Sequence, residues 1–427
     1  MLKLARTIGP VLLAAALSAA CGGSDGGSTP ESAESDNTAA PSESAEGGGS
    51  DADLLVWTDS LKLAGVQAVA DEFAAANGIT VEVQAISEDL QGSFVTADAA
   101  GNGPDVVVGA HDWIGNLVQN GAIDPLQLSP EDLSGYSEKA VQATTYEEKL
   151  YGVPYGIEAL ALYRNTEVAP DEPATLDDAI SAGQAAVDAG EVESALNLPV
   201  GELGDAYHME PILTSLGGYI FAYDEETGYD PTDVGIGKEG SLVAAEKIGE
   251  LADQRVLRTS ISSDNSIALF TSKKAAFLVS GPWALADVKK AGFDYAIQPL
   301  PGFAGAEPAA PFMGAQAFMV AANGANKDIA QEFVNNGVNN EESMQTLFEE
   351  TQLPPAMTAV QESLDDPDVT VFTDAANAGA PMPAIPAMAA VWEPLGKAYS
   401  AIVSGKDPTA TIQSAGDTIN KAIADAG

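Results

Sequence analysis

From residue 54 onward, the apolar positions alternate between strand spacing and helix spacing. Leu54-Leu55-Val56-Trp57 is an unbroken apolar run of strand length. Val66, Val69 and Phe73 then recur three and four residues apart, and Asn77-Gly78 supplies a helix stop. Ile79 to Val83 alternates apolar and polar, the period of a strand. Leu90 and Phe94 mark a second helix, Gly101-Asn102-Gly103-Pro104 a turn, and Val106-Val107-Val108 a third strand. A β-α-β-α-β order implies a largely parallel sheet covered by helices. Such sheets bind ligands beyond the carboxyl ends of their strands. His111-Asp112-Trp113 falls just past such an end, with Asp112 placed as N-cap of the next helix. Further on, Leu160 to Tyr163 reads as a strand. Helices are expected over Leu242–Leu251, Ile329–Val338, Met344–Phe348, Met388–Ile402 and Thr411–Ala426. In the last of these, Ile412, Ile419 and Ile423 share one face. The fold class read from this pattern is α/β.

The residues before Leu54 have a different character. Lys3 and Arg6 precede an apolar run from Val11 to Leu17, then Ser18-Ala19-Ala20 and Cys21. This is the order of a secretory signal. A cysteine directly after small residues resembles a bacterial lipoprotein signal, in which that cysteine becomes the lipidated N-terminus. Leu17 lies one position further from Cys21 than the usual pattern has it. The competing reading is a plain signal peptide with an incidental cysteine. Cys21 is the one cysteine of the chain, so no disulfide forms within it and its position calls for a role. Residues 22–53 are rich in Gly, Ser, Glu, Asp, Ala and Pro without a large apolar residue, which is the composition of a flexible tether. The expected organisation is a lipoprotein signal over 1–21, a linker over 22–53, and a folded body from Leu54. No other stretch carries the roughly 18 consecutive apolar residues of a membrane span.

Charge narrows the function. The chain has 63 Asp+Glu against 18 Lys+Arg, a formal charge of -45. Such a surface repels phosphate backbones and anionic lipid, so neither nucleic acid nor an electrostatic membrane grip is expected. Solubility, in a salty habitat for instance, accounts for the acidity without a specific role. With two histidines, His111 and His208, and one cysteine, a transition-metal site is not expected. From Leu54 onward the Gly-x-Ser-x-Gly, His-Glu-x-x-His and phosphate-loop patterns are absent. Gly235-Ile236-Gly237-Lys238-Glu239-Gly240 spells a dinucleotide fingerprint, but it follows Asp230-Pro231-Thr232-Asp233 rather than a convincing strand. It is read as a loop with flexible glycines.

Several stretches, in order and at compatible spacing, resemble the maltose/maltodextrin-binding proteins, extracellular solute receptors of ABC importers. They are Gly103-Pro104-Asp105-Val106 leading to Ala110-His111-Asp112; Tyr155-Gly156-Ile157-Glu158-Ala159-Leu160; Gly217-Gly218-Tyr219 with Tyr229-Asp230; Ser280-Gly281-Pro282-Trp283-Ala284; and Met382-Pro383-Ala384-Ile385-Pro386-Ala387-Met388 followed by Trp392. The resemblance runs from Leu54 to the C-terminus. It implies a two-lobed periplasmic-binding-protein-like fold, with a hinge and an interlobe cleft. The chain would cross between lobes near Glu158, Ala315 and Leu364. The N-terminal lobe would then be 54–157 plus 315–364, and the C-terminal lobe 158–314 plus 365–427.

The resemblance also implies a sugar receptor, and the chemistry of a sugar says what its site needs. Sugar CH faces lie flat on aromatic rings, and sugar hydroxyls need donors and acceptors at the edge. By the resemblance, Trp283, Trp392 and Tyr207 stack on sugar, while Asp112, Glu158, Asp205 and Lys62 bind hydroxyls. Met382 forms a flexible wall, and Trp113 is a further candidate platform. Against these stand the ordinary readings of core tryptophan, solvated acid and surface lysine. Trp57, inside a strand, is expected to be core. The chain departs from the family pattern at Leu61, Gln91, Gly109, Trp113, Leu285 and Gly396, each in place of a polar or aromatic site residue. These losses weigh against maltose itself and leave a malto-oligosaccharide or another gluco-oligosaccharide, trehalose among the alternatives. The implied partners are the ligand, the permease subunits of an ABC importer, and the membrane through the lipid anchor alone. The protein would be a monomer without cofactor, on the extracellular face of the cell membrane. A glycoside hydrolase, with a general acid and nucleophile among the carboxylates, is the competing class. A receptor for a polyol or peptide is the third.

Overall fold

The computed structural model describes residues 51–224 and 227–426. Its first strands follow the apolar pattern: β1 (Leu54–Thr58), β2 (Val81–Ala85), β3 (Val106–Ala110) and the short β4 (Ile123–Asp124). After a small hairpin of β5 (Thr145–Tyr146) and β6 (Lys149–Leu150) come β7 (Val153–Glu158), β8 (Ala161–Asn165) and β9 (Ser194–Asn197). A second hairpin joins β10 (Phe221–Asp224) to β11 (Gly228–Val234), and β12 (Ala275–Ser280), β13 (Tyr295–Pro299) and β14 (Gly314–Ala321) complete the set.

Two sheets organise these strands. In the first, β1 pairs in parallel with β2 and β3. β14, from a distant part of the sequence, inserts antiparallel between β3 and β4 and also pairs with β7. The sheet is therefore mixed rather than largely parallel, because β14, entering after β13 of the other sheet, pairs antiparallel. Alternation along β1 sends Leu54 and Val56 to one face, with Phe73, Phe318 and Phe333. It sends Leu55 and Trp57 to the other, with Phe94, Ile114 and Leu117. Both faces are covered, which is why the run is continuously apolar. Trp57 is core, 7% exposed. The second sheet has the order β13-β8-β12-β9. Its faces carry Leu162, Phe277 and Val279 on one side and Tyr163, Leu278 and Phe372 on the other.

The chain passes between the sheets at closely placed points. β7 ends at Glu158 in the first sheet, and β8 begins at Ala161 in the second. β13 lies in the second and β14 in the first. Helix Pro367–Ala378 then touches both, with Phe372 in the core of one sheet and Ala375 and Ala376 in that of the other. The last two passages run side by side: the Met313 N–H donates to the Ala380 carbonyl (2.8 Å), and the Met382 N–H to that of Met313 (2.9 Å).

The helices form where the periodicity places them, with some changes at their ends. Leu63–Asn77 buries Val66, Val69 and Phe73. Leu176–Asp188 starts at a capping box, Thr175 and Asp178 each accepting from the other's backbone N–H. The expected helix over 329–338 begins as Lys327–Glu332 and widens into a π-helical turn over Phe333–Val338. The expected helix over 388–402 is a 3-10 turn, Pro386–Ala390, followed by helix Trp392–Val403. The last helix, Pro408–Ala426, buries Ile412 and Ile419.

Two expectations are corrected. Asp112 does not cap a helix. It sits within a 3-10 turn, His111–Trp113, that tightens the chain before helix Ile114–Gln119, which has no side-chain cap. The glycine-rich run 235–240 is not a flexible loop. It follows β11 directly and enters helix Glu239–Asp253. A Cβ on Gly235 or Gly240 would collide with the carbonyls of Tyr219 or Gly217, so these glycines serve close backbone packing.

The same device appears at one strand end of each sheet. Trp113 folds back over the backbone of Gly109 in β3, and Trp283 folds back over Gly281, just past β12. The Gly281 carbonyl accepts from the buried Tyr163 hydroxyl at 2.8 Å, which fixes that turn. A Cβ at either glycine would lie inside the indole ring. Gly109→Ala and Gly281→Ala should each destabilise the fold by about 1–3 kcal/mol, read from urea unfolding. Stabilities equal to wild type would show that the indoles do not rest on these glycines.

Candidate ligand-binding site

The site builds from strand ends that face one another between the sheets. Glu158 closes β7 and is 8% exposed. Its Oε1 accepts from the Gln316 amide of β14 at 2.9 Å. Lys62, just before helix Leu63–Asn77, is ion-paired with Asp59 and sets its charge near Glu158. Burial lifts the Glu158 carboxyl above the usual range; Lys62 and Gln316 act against that rise, and Asp59 adds to it.

Asp112, also 8% exposed, follows β3. Burial pushes its carboxyl up to about 7, and the neighbouring charge of Glu158 adds to the rise. The Trp392 side chain, donating through its indole N–H, works in the opposite direction. Trp392 opens a helix packed on the core of the second sheet, so its proximity to Asp112 links residues of the two sheets.

From the second sheet's side come three rings. Tyr207 and His208 lie on helix Ala206–Ser215 and Trp283 on the turn after β12. Ring centres of Tyr207 and Trp283 are 6.3 Å apart, and His208 meets Trp283 edge-on at 6.1 Å. The Tyr207 hydroxyl is held well above its ordinary pKa, first by burial and then by Glu158, Glu210, Asp205 and Asp112. Two carboxylates of the first sheet and a phenol of the second therefore share one electrostatic neighbourhood.

The remaining candidates lie at the margins. Asp205 caps the Tyr207 helix, accepting from the His208 backbone N–H at 2.9 Å, and its other oxygen meets His208 Nδ1 at 2.7 Å. Met382 is buried in the second core, and its carbonyl lies 2.9 Å from His111 Nε2. Trp113, partly exposed, packs against the core cluster of Leu55, Trp57 and Phe94 and over Gly109. Cys21 lies outside the described residues. Lys62, Asp112, Glu158, Tyr207, Trp283 and Trp392 are thus brought together.

Sequence reasoning passed over Asp59, Gln316 and the functional side of His111 and His208. Asp59 and His208 each stand three residues from a named candidate, a helical spacing that was legible. Gln316 reaches Glu158 only through the register of β14 on β7, which leaves no local trace.

Buried polar atoms decide what the cluster can do. Asp112 Oδ1, the Tyr207 hydroxyl and Gln316 Oε1 are buried without a hydrogen-bond partner. Two unpartnered acceptors and a hydroxyl at the meeting of two lobes call for a ligand that both donates and accepts.

Residues 68–380 match the family described as bacterial extracellular solute-binding protein. The chain belongs to this family. Family members of known specificity are similar along most of their length. A galactooligosaccharide-binding protein of Bacillus subtilis (strain 168) is 29% identical over 88% of this chain and 91% of its own. Maltodextrin-binding protein MdxE of the same organism is 29% identical over 83% of this chain and 85% of its own. A maltooligosaccharide ABC transporter solute-binding lipoprotein of Streptococcus pneumoniae serotype 4 is 25% identical over 96% of this chain and 94% of its own. The two-lobed α/β architecture of this solute-binding protein is the family's fold.

The Asp112 environment gives a pH test. The unfolded chain binds this proton near 3.8 and the folded chain near 7. Between those values the folded state holds the extra proton, so the penalty grows as pH rises from 3.8 to 7 and is complete above. Asp112→Asn should therefore raise stability at pH 8 by on the order of 2–4 kcal/mol and change it little at pH 4. Urea unfolding at the two pH values checks this; a variant no more stable at pH 8 would contradict the burial argument.

Proposed function

We propose that this solute-binding protein captures a malto-oligosaccharide between its lobes and hands it to an ABC importer. The observation that carries this reading is the set of buried, unpartnered polar atoms, the acceptors Asp112 Oδ1 and Gln316 Oε1 and the Tyr207 hydroxyl, beside indoles and a phenol. Sugar hydroxyls supply the donors, and sugar CH faces fit Trp283, Tyr207 and Trp392. Lys62, paired with Asp59, adds a donor at the edge for sugar oxygens. An anionic solute would meet the field of Asp112 and Glu158 and be repelled. Trp113, Asp205 and Met382 take outer roles in this scheme: Trp113 as a further platform, Asp205 as a hydroxyl acceptor held by His208, and Met382 as a flexible wall. The lipoprotein-like leader supports anchoring through Cys21 at the extracellular face of the cell membrane, with residues 22–53 as tether and the permease subunits as partners. The receptor acts as a monomer and without catalysis.

The hinge in this reading lies at the three passages between sheets, near Glu158, Ala315 and Leu364. The N-terminal lobe comprises 54–157 plus 315–364, and the C-terminal lobe 158–314 plus 365–427. Ligand favours the closed form by contacts to both lobes at once. A galacto-oligosaccharide is the second reading, supported by the Bacillus subtilis relative that matches 88% of this chain.

Titration calorimetry against maltose, maltotriose, maltotetraose, trehalose and a galacto-oligosaccharide tests the reading. Binding is expected for the tri- and tetrasaccharides of glucose, with no smaller sugars released on incubation. Trp283→Ala and Trp392→Ala should each weaken binding by roughly 1–3 kcal/mol with the fold retained. Tight binding by the galacto-oligosaccharide alone favours the second reading, and unchanged affinity in both variants contradicts the aromatic platform.

A further inference from the structure

We propose that His111 is a positioning residue that couples the ligand-facing Asp112 to the hinge, through one hydrogen bond to each of the two adjacent passages between lobes. The proposal rests on the receptor reading above and names the side chain that transmits closure within it. His111 is fully buried, 0% exposed, at the end of β3 and immediately before Asp112. Its Nδ1 is 3.0 Å from the backbone nitrogen of Ala315, at the start of β14. Its Nε2 is 2.9 Å from the Met382 carbonyl, on the passage that leads into the second core.

These two partners fix the tautomer. A backbone N–H can only donate, so Nδ1 accepts; a carbonyl can only accept, so Nε2 carries the proton. Burial holds the ring's pKa near 4, so the neutral form that satisfies both bonds is the working form. With both nitrogens engaged and no exposed surface, the imidazole has no capacity left for ligand. Its two bonds lie 204 and 271 residues away along the chain, so they hold tertiary geometry rather than local structure.

The two passages it joins are already tied to each other by Met382 N–H to Met313 O. His111 adds the strand end that carries Asp112, whose carboxyl meets the Trp392 indole of the opposite lobe. Movement of the third passage during opening therefore pulls on the residue before Asp112. A ligand that fixes Asp112 fixes the passage in return, because coupling between sites is reciprocal.

The test compares His111→Leu, which can make neither bond, with His111→Gln, whose amide offers both a donor and an acceptor. The full-length protein is measured by small-angle scattering without sugar, and by calorimetry with maltotetraose. His111→Leu should scatter as a more open particle than wild type without sugar and bind maltotetraose about tenfold or more weakly, with His111→Gln restoring part of both. If the Leu variant does not fold, His111→Asn, with its shorter amide, is judged on the same two readouts with the same expectations. A folded Leu or Asn variant with wild-type scattering overturns the coupling, whether or not its affinity has changed. The sugar-free scattering needs no ligand, so it decides the hinge claim even if maltotetraose proves not to bind.

Discussion

A carboxylate taken out of water must be given hydrogen-bond donors or keep its proton. Asp112 and Glu158 stand in that position at the meeting of two sheets. Lys62, the Gln316 amide and the Trp392 indole meet part of the demand. What remains open is at the acceptors Asp112 Oδ1 and Gln316 Oε1 and at the Tyr207 hydroxyl, which both donates and accepts. A polyol answers that need without bringing charge, whereas water would have to be ordered at several points at once. Buried Asp98 and Asp105, by contrast, are met by donors from Asn323, Leu55 and Asn326 within the fold.

The topology that creates the cluster is economical. β14 enters the first sheet antiparallel between β3 and β4, which brings Gln316 beside Ala110 and places Glu158 opposite Gly314. Three residues after Glu158 the chain is already in the second sheet. The acids of one lobe and the passages between lobes are consequently neighbours, and His111 sits where both can be reached. Each sheet also has, at or just past one strand end, a glycine covered by a tryptophan. In the second sheet that indole, Trp283, turns toward Tyr207 and His208; in the first, Trp113 stays over its own core.

Much of the fold was legible in the sequence because its signals are local. The strands β1 and β3 and the helix Leu63–Asn77 follow from apolar runs and helical spacing within a dozen residues. The insertion of β14 was not legible, since pairing between Gln316 and Ala110 leaves no mark near either residue. β11 escaped notice because it is largely exposed, carries Pro231 and shows no alternation, and the glycines after it looked like loose loop in consequence. Asp112 was misread as a cap because a 3-10 turn and the start of an α-helix share the same residue preferences. Trp283, Trp392, Glu158 and Asp112 were nominated through motifs, whereas the placement of Gln316 and of the His111 ring depends on contacts about 160 to 270 residues away.

The most direct test is a crystal structure of this protein with maltotetraose. The sugar is expected between the lobes, its faces on Trp283 and Trp392, with hydroxyls donating to Asp112 Oδ1 and to Glu158. A sugar bound elsewhere, with those two carboxylates untouched and the indoles bare, would contradict the account.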